Sequence, residues 1–151
     1  MVVDHIGIVV KSIEEGIKLW NYLFGYRQAT DVTINTRQNV KVAFLKKENS
    51  IDIKLIEPAS ESSPVSALAR RGGGFHHICF MCDSLHEELD QLIKKGGRVL
   101  SPPEPGEAFD NEEISFLYVG QGLNIELIDT EKRANKIAAS GFALGQEWKD
   151  A

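Results

Sequence analysis

The chain has only two cysteines in 151 residues, Cys79 and Cys82, too few for a disulfide framework. Their C-x-x-C spacing lacks the second pair that a structural zinc site needs. On a strand the two thiols would also face opposite ways. Both are expected to be reduced and structural. No stretch approaches the roughly 20 consecutive apolar residues of a membrane span. The start shows no cleavable apolar block, because Asp4 and His5 interrupt it. A cytoplasmic protein with no membrane partner is the expectation. An excess of positive charge is missing too: 17 basic residues against 22 acidic give a net charge of −5. That disfavours a nucleic-acid partner, which draws on a basic face. The pairs Lys46-Lys47, Arg70-Arg71 and Lys94-Lys95 read as solvated surface.

What is present suffices for a packed core, at 42% apolar and 26% charged residues. The chain is also written twice. Asp4-His5-Ile6-Gly7-Ile8 returns as His76-His77-Ile78-Cys79-Phe80, 72 positions on. Ser12 pairs with Ser84, Gly25 with Gly97, and Phe44-Leu45 with Phe116-Leu117. Ile53-Lys54-Leu55-Ile56 pairs with Ile125-Glu126-Leu127-Ile128. A fixed offset held across about 55 residues argues for two copies of one supersecondary unit. Polar residues at matched points then meet near a pseudo-two-fold centre: His5 with His77, and Lys54 with Glu126.

Each copy reads β-α-β-β-β. Val2 to Val10 is a β-branched strand with His5, Gly7 and Val9 on one face and Ile6, Ile8 and Val10 on the other. Ser12 with Glu15, and Ser84 with Glu87, are helix-start signals. Tyr26 to about Ile34 reads as an edge piece, and Val40–Leu45 and Ile51–Ile56 as an antiparallel pair. Ser63-Pro64 starts a short helix through Ala69. In the second copy, Phe75–Met81, Glu113–Val119 and Leu123–Ile128 read as strands, and Ser101–Gly106, with three prolines, as a rigid loop. Alternation sets Lys54 and Glu126 opposite their Ile and Leu neighbours, facing away from the helices. The expected fold class is α+β, with two tandem βαβββ modules, at about 3–58 and 75–129, forming a curved mixed sheet around a central cavity. Residues 1–130 are read as one domain and 131–151 as a tail, with a small helix over Lys132 to Ala139. Phe142 and Trp148 suggest that the tail packs on the body or on a partner subunit.

The duplicated plan, Asp4-His5-Ile6-Gly7-Ile8, His76-His77-Ile78 and Ile125-Glu126-Leu127 together resemble the vicinal oxygen chelate superfamily. This is the glyoxalase, bleomycin-resistance and dioxygenase group. Leu55 to Pro58, Ser63-Pro64-Val65 and Arg71 to Ile78 look most like its methylmalonyl-CoA epimerase branch. The resemblance implies one divalent ion held by side chains at His5, Lys54, His77 and Glu126. Three of these are proper ligands. A protonated lysine at the fourth position has no free lone pair and repels a dication, so the ion is expected to be weakened or absent. Two histidines and a carboxylate suit zinc, nickel, cobalt, manganese or iron. The resemblance also implies a second base near the start of the second strand, where this chain has Arg37, which stays protonated. Asp31 and Glu48 are more distant substitutes.

The expected chemistry is movement of an α-proton on a small oxo-acid or acyl thioester through a stabilised enolate. Glu126 would carry the proton, while Arg37 and Lys54 would hold an anionic group or stabilise the enolate. A lactoylglutathione lyase-like enzyme and a non-catalytic binder of anionic metabolites are the alternatives. A homodimer is the expected assembly. His76 is read as structural and His86 as solvent-facing.

Overall fold

The computed structural model describes residues 1–138. The first half runs β1 (Val2–Val9), α1 (Ile13–Phe24), β2 (Arg27–Gln28), β3 (Thr33–Asn35), β4 (Val40–Lys46) and β5 (Asp52–Pro58). After the linking helix α2 (Ser66–Arg70), the second half runs β6 (Gly74–Met81), α3 (Leu85–Lys94), β7 (Arg98–Gly106), a 3-10 turn at Glu107–Phe109, β8 (Glu112–Tyr118) and β9 (Asn124–Ile128). All strands among the described residues join one nine-stranded sheet in the order β2-β4-β5-β1-β6-β9-β8-β7, with β3 paired to β4 beside this path. The sheet is mixed: β1 and β5 are parallel, as are β6 and β9, while β1 and β6 meet antiparallel at the centre.

The repeat is legible in the register. Gly7 lies opposite Lys54, and Cys79 opposite Glu126. Phe44 lies opposite Lys54 on the outer side, and Phe116 opposite Glu126. Helix starts repeat as well. Ser12 accepts from the Glu15 N–H and Ser84 from the Glu87 N–H. Carboxylates from the sheet add a second cap, Glu57 accepting from the Ile13 N–H and Asp129 from the Leu85 N–H, each at 2.9 Å. Gly25 ends α1 in the left-handed conformation, φ 74°.

Strand alternation sorts the apolar residues into three groups. Ile53 and Leu55 pack with Ile6, Ile8 and Val10 against Ile13 and Ile17 of α1. Leu85 and Leu89 of α3 pack with Leu117, Ile125 and Leu127. The opposite face carries Val42, Phe44, Ile56, Cys79, Phe109, Ile114 and Ile128. Cys79 and Cys82 fall in different groups, on opposite faces, and both are buried free thiols.

The α+β class and the mixed sheet agree with the sequence, but the curved sheet around a central cavity does not. The strand order is an open path with free ends at β2 and β7. Neither end can close it. β2 has only two residues, and Pro102, Pro103 and Pro105 remove three N–H donors from β7. On the face away from the helices Phe44 and Phe109 pack directly against His5, so the sheet does not wrap around a central cavity there.

Three local expectations also change. The proline-rich segment is strand β7, paired to β8 across two register shifts, rather than a loop. Helix α2 starts at Ser66, with Ser63 and Pro64 in the turn before it. The described part of the expected tail helix is a turn at Ala134-Asn135 and an isolated bridge between Thr30 and Lys136. Asn135 takes φ 56°, which a helix does not allow. Phe142 and Trp148 lie outside the described residues.

Candidate metal centre

β1 and β6 bring His5 and His77 to the sheet centre, and β9 brings Glu126 beside them. All three are fully buried. His5 Nε2 lies 2.9 Å from Glu126 Oε1, His77 Nε2 lies 3.1 Å from the same oxygen, and the two Nε2 atoms are 3.4 Å apart. The His77 ring sits over Gly7, where any Cβ would collide with it. Gly7 is thus part of the site through the atom it lacks, a role that the sequence reading did not assign.

The outer nitrogens of both rings are held. His5 Nδ1 lies 2.7 Å from Asp4 Oδ2, and Arg133 Nη2 is 2.6 Å from the same oxygen. Burial opposes ionisation of Asp4, but the His5 hydrogen bond and the Arg133 charge outweigh it and hold the carboxyl below its usual range. An ionised carboxylate only accepts, so His5 Nδ1 carries a proton toward Asp4 and Nε2 is the nitrogen that faces the centre. His77 Nδ1 lies 2.7 Å from His76 Nδ1. Burial drives the His77 pKa down to about 3, partly offset by its bond to Glu126, so this ring is neutral. Glu126 would be raised by burial. The Lys54 charge and the two histidines more than reverse this and keep it well below the carboxylate range.

Lys54 is buried beside the triad, its Nζ 3.4 Å from Glu126 Oε2 and 5.2 Å from the Phe109 ring centre. It fills the fourth corner as the repeat places it there, and it forms an ion pair with the carboxylate instead of offering a lone pair.

Three donors that bind one ion at about 2.0–2.2 Å and angles of about 90–110° stand about 2.9–3.6 Å apart. The separations here, 2.9, 3.1 and 3.4 Å, fall in that range. A lone pair on His5 Nε2 at 2.9 Å from an ionised carboxylate also requires a proton or a cation between them. His5, His77 and Glu126 therefore form a group able to hold one divalent ion. Asp4, His5 and Cys79 also cluster, but they suit an ion less well. Asp4 is already committed to Arg133, and burial pushes the Cys79 thiol well above its ordinary range.

A pocket of about 460 Å³ opens next to the triad, lined by Lys54, His76 and His77 on one side. Arg37 and Gln38, in the turn between β3 and β4, and Ser101 and Glu104 of β7 form other walls. His76 was expected to point away from His77. It lines the same pocket and hydrogen-bonds its neighbour, a placement that strand alternation alone misses. Arg37 is exposed at the mouth, its Nη1 3.4 Å from the Pro105 carbonyl oxygen. The buried Gln38 Nε2 has no partner among the described residues, a donor left for an acceptor in the pocket. His86 lies away from the pocket, 64% exposed and paired with Glu113. Asp31 and Glu48 do not line the pocket.

Comparison with known proteins agrees with this geometry. An uncharacterised protein, YqjC, of Bacillus subtilis is 33% identical over 129 residues, covering 83% of this chain and 90% of that protein. A mitochondrial methylmalonyl-CoA epimerase of Dictyostelium discoideum is 25% identical over 132 residues, covering 86% of this chain and 77% of that one. The crystal structure of methylmalonyl-CoA epimerase from Mycobacterium tuberculosis superposes with a TM-score of 0.75 at 27% identity, covering 85% of this chain and 87% of that one. The fold is thus methylmalonyl-CoA epimerase-like. Residues 4–116 match the family model of the Glyoxalase/Bleomycin resistance protein/Dioxygenase superfamily, and the chain belongs to that superfamily.

Proposed function

We propose that the protein is an epimerase-like enzyme that moves the α-proton of a small anionic acyl thioester, with one divalent ion held by His5, His77 and Glu126. The convergence of three buried donor atoms at 2.9, 3.1 and 3.4 Å carries this reading. The similarity to methylmalonyl-CoA epimerases supports the substrate class. When bound, the ion supplies Lewis-acid polarisation of a carbonyl oxygen. The protein's own residues do the rest. Asp4 and His76 orient the two imidazoles. Lys54 lends positive charge to an oxygen that becomes anionic as the proton leaves. Arg37 at the mouth pairs with a carboxylate or phosphate of the substrate, and Gln38 donates to an acceptor deeper in. Glu126 carries a proton on the triad side as its hold on Lys54 loosens.

Residues 1–130 act as a single domain in this reading, which the shared sheet supports. Cytoplasmic placement is supported by the two buried free thiols. A homodimer is supported by the outer face of α1, where Leu19, Tyr22, Leu23 and Phe24 are 53, 58, 54 and 49% exposed. Sedimentation equilibrium would read the dimer directly.

The test is twofold. Elemental mass spectrometry of untagged protein should find about one divalent ion per chain, lost on His77→Gln. Proton NMR in D₂O should then show the α-proton of methylmalonyl-CoA exchanging. Absence of exchange across a panel of 2-substituted acyl-CoAs, with the ion loaded, would sink the reading. Lys54 favours a second reading, a binder of anionic metabolites that uses the ammonium instead of an ion. Tight acyl-CoA binding with no ion uptake from excess divalent metal would select it.

A further inference from the structure

The side chains given roles above leave one requirement open, a proton acceptor that faces the substrate. Glu126 is fully buried and does not line the pocket, and Arg37 cannot accept a proton. Among the described residues, one carboxylate does line the pocket, that of Glu104 on β7.

Its position follows from a break in the strand. Ser101 and Glu104 are three residues apart, so in a regular strand they would face opposite ways. β7 departs from regularity between them. Ser101 pairs with Phe116 and Glu104 with Ile114, so three steps on β7 span two on β8. The extra residue is a bulge, and it falls at Pro102-Pro103, which have no N–H to lose from the ladder. The bulge restores parity, and both side chains enter the pocket. Ser101 Oγ donates to Glu104 Oε1 at 2.7 Å, and Ser115 Oγ holds the Ser101 carbonyl oxygen at 2.7 Å. The carboxylate is thus aimed by its neighbours, with the cationic Lys54 and the His76-His77 pair on the other side of the same pocket.

We infer that Glu104 is the substrate-facing acid–base group of this pocket, oriented by Ser101. This inference rests on the acyl-thioester reading above. The Glu104 carboxylate takes the proton from the α-carbon. The C–H electron pair becomes the carbon–carbon double bond of the enolate, and the negative charge moves to the thioester oxygen. Protonation at the same carbon closes the cycle. When the Glu104 carboxyl exchanges its proton with water and then protonates the same face, the starting stereoisomer is regenerated with solvent hydrogen incorporated. Delivery on the opposite face, by a proton that the triad side draws from water, gives the other stereoisomer, and Glu104 returns its proton to water, so the balance closes.

The probe is methylmalonyl-CoA, with α-proton exchange followed by NMR in D₂O for each stereoisomer separately. Glu104→Gln keeps an acceptor for Ser101 Oγ but cannot take a proton. It should lower kcat for exchange of one stereoisomer by about 10²-fold or more, with KM nearly unchanged. Glu104→Asp should recover part of the loss. Ser101→Ala, which leaves the carboxylate but frees it, should lower kcat about tenfold with KM steady, and it answers the question if Glu104→Gln does not fold. Exchange by folded Glu104→Gln at the wild-type rate for both stereoisomers would overturn the assignment. So would an unchanged rate in Ser101→Ala if Glu104→Gln does not fold. An inactive wild type would instead remove the acyl-thioester reading, and Glu104 with it.

Discussion

Gly7 and His77 form a matched pair across the central strands, one residue giving up its side chain so that the other can bury a ring. Gly7→Ala should push the His77 ring off its position. Overpacking of this kind costs about 1–3 kcal/mol. Urea denaturation should register that loss, and calorimetric titration should show divalent-ion affinity falling together with it. His77 also makes stability depend on pH. In the unfolded chain its imidazole protonates near the ordinary 6.5, while burial holds it to about 3 in the fold. Between these values the unfolded chain binds the proton and the folded chain does not. Stability of the ion-free protein should therefore fall as pH drops from 6.5 toward 3, by roughly 1.4 kcal/mol per unit from this group. Denaturation curves at pH 7 and pH 5 measure the slope, and His77→Gln should flatten it. Lys54 acts in the opposite sense on the ion. Removing a like charge next to the ligands in Lys54→Gln should tighten divalent-ion binding by about tenfold or more. Unchanged affinity would mean that the lysine swings clear when the ion enters.

At the scale of elements, both helices start on the same construction. A serine caps the first turn, and a carboxylate from the end of a central strand takes one more N–H, Glu57 for α1 and Asp129 for α3. The serines were legible as capping boxes. The carboxylates were not, because each lies 44 residues from the helix it caps. Their loss should act like the loss of a helix cap. Glu57→Ala and Asp129→Ala should each cost about 1 kcal/mol by chemical denaturation. They should be nearly additive, because they sit on opposite halves of the sheet. β7 teaches a different lesson. Three prolines in six residues read as a loop by composition, yet an edge strand needs ladder bonds on one side only.

At the scale of the whole molecule, the two halves share one sheet, and the site lies on the seam between β1 and β6. The chain returns to this seam after β9. Arg133 lies over Phe44 and Phe109, at 4.9 and 4.6 Å from their ring centres, and binds Asp4 behind His5. Arg133→Ala would leave the Asp4 carboxylate partly buried without its cation. The expected cost is up to about 3 kcal/mol of stability, with weaker ion binding because His5 loses its anchor. Thermal unfolding with and without added divalent ion separates the two effects, since an ion at a hundred times its Kd stabilises by about 2.7 kcal/mol.

The sequence by itself determined the repeat, the class of the fold and the identity of the central residues. A constant offset forces matched strands to meet, and strand alternation then assigns His5, His77, Lys54 and Glu126 to the face away from the helices. Tertiary structure decided what those residues meet. Phe44 and Phe109 pack against His5, and the sheet stays open, ending at β2 and at the proline-rich β7. Only the packed strands bring Asp4 and Arg133 behind His5 and set His76 in the pocket. The bulge in β7 turns Glu104 the same way as Ser101. Each of these depends on pairing between distant segments, and local periodicity carries no information about such pairing.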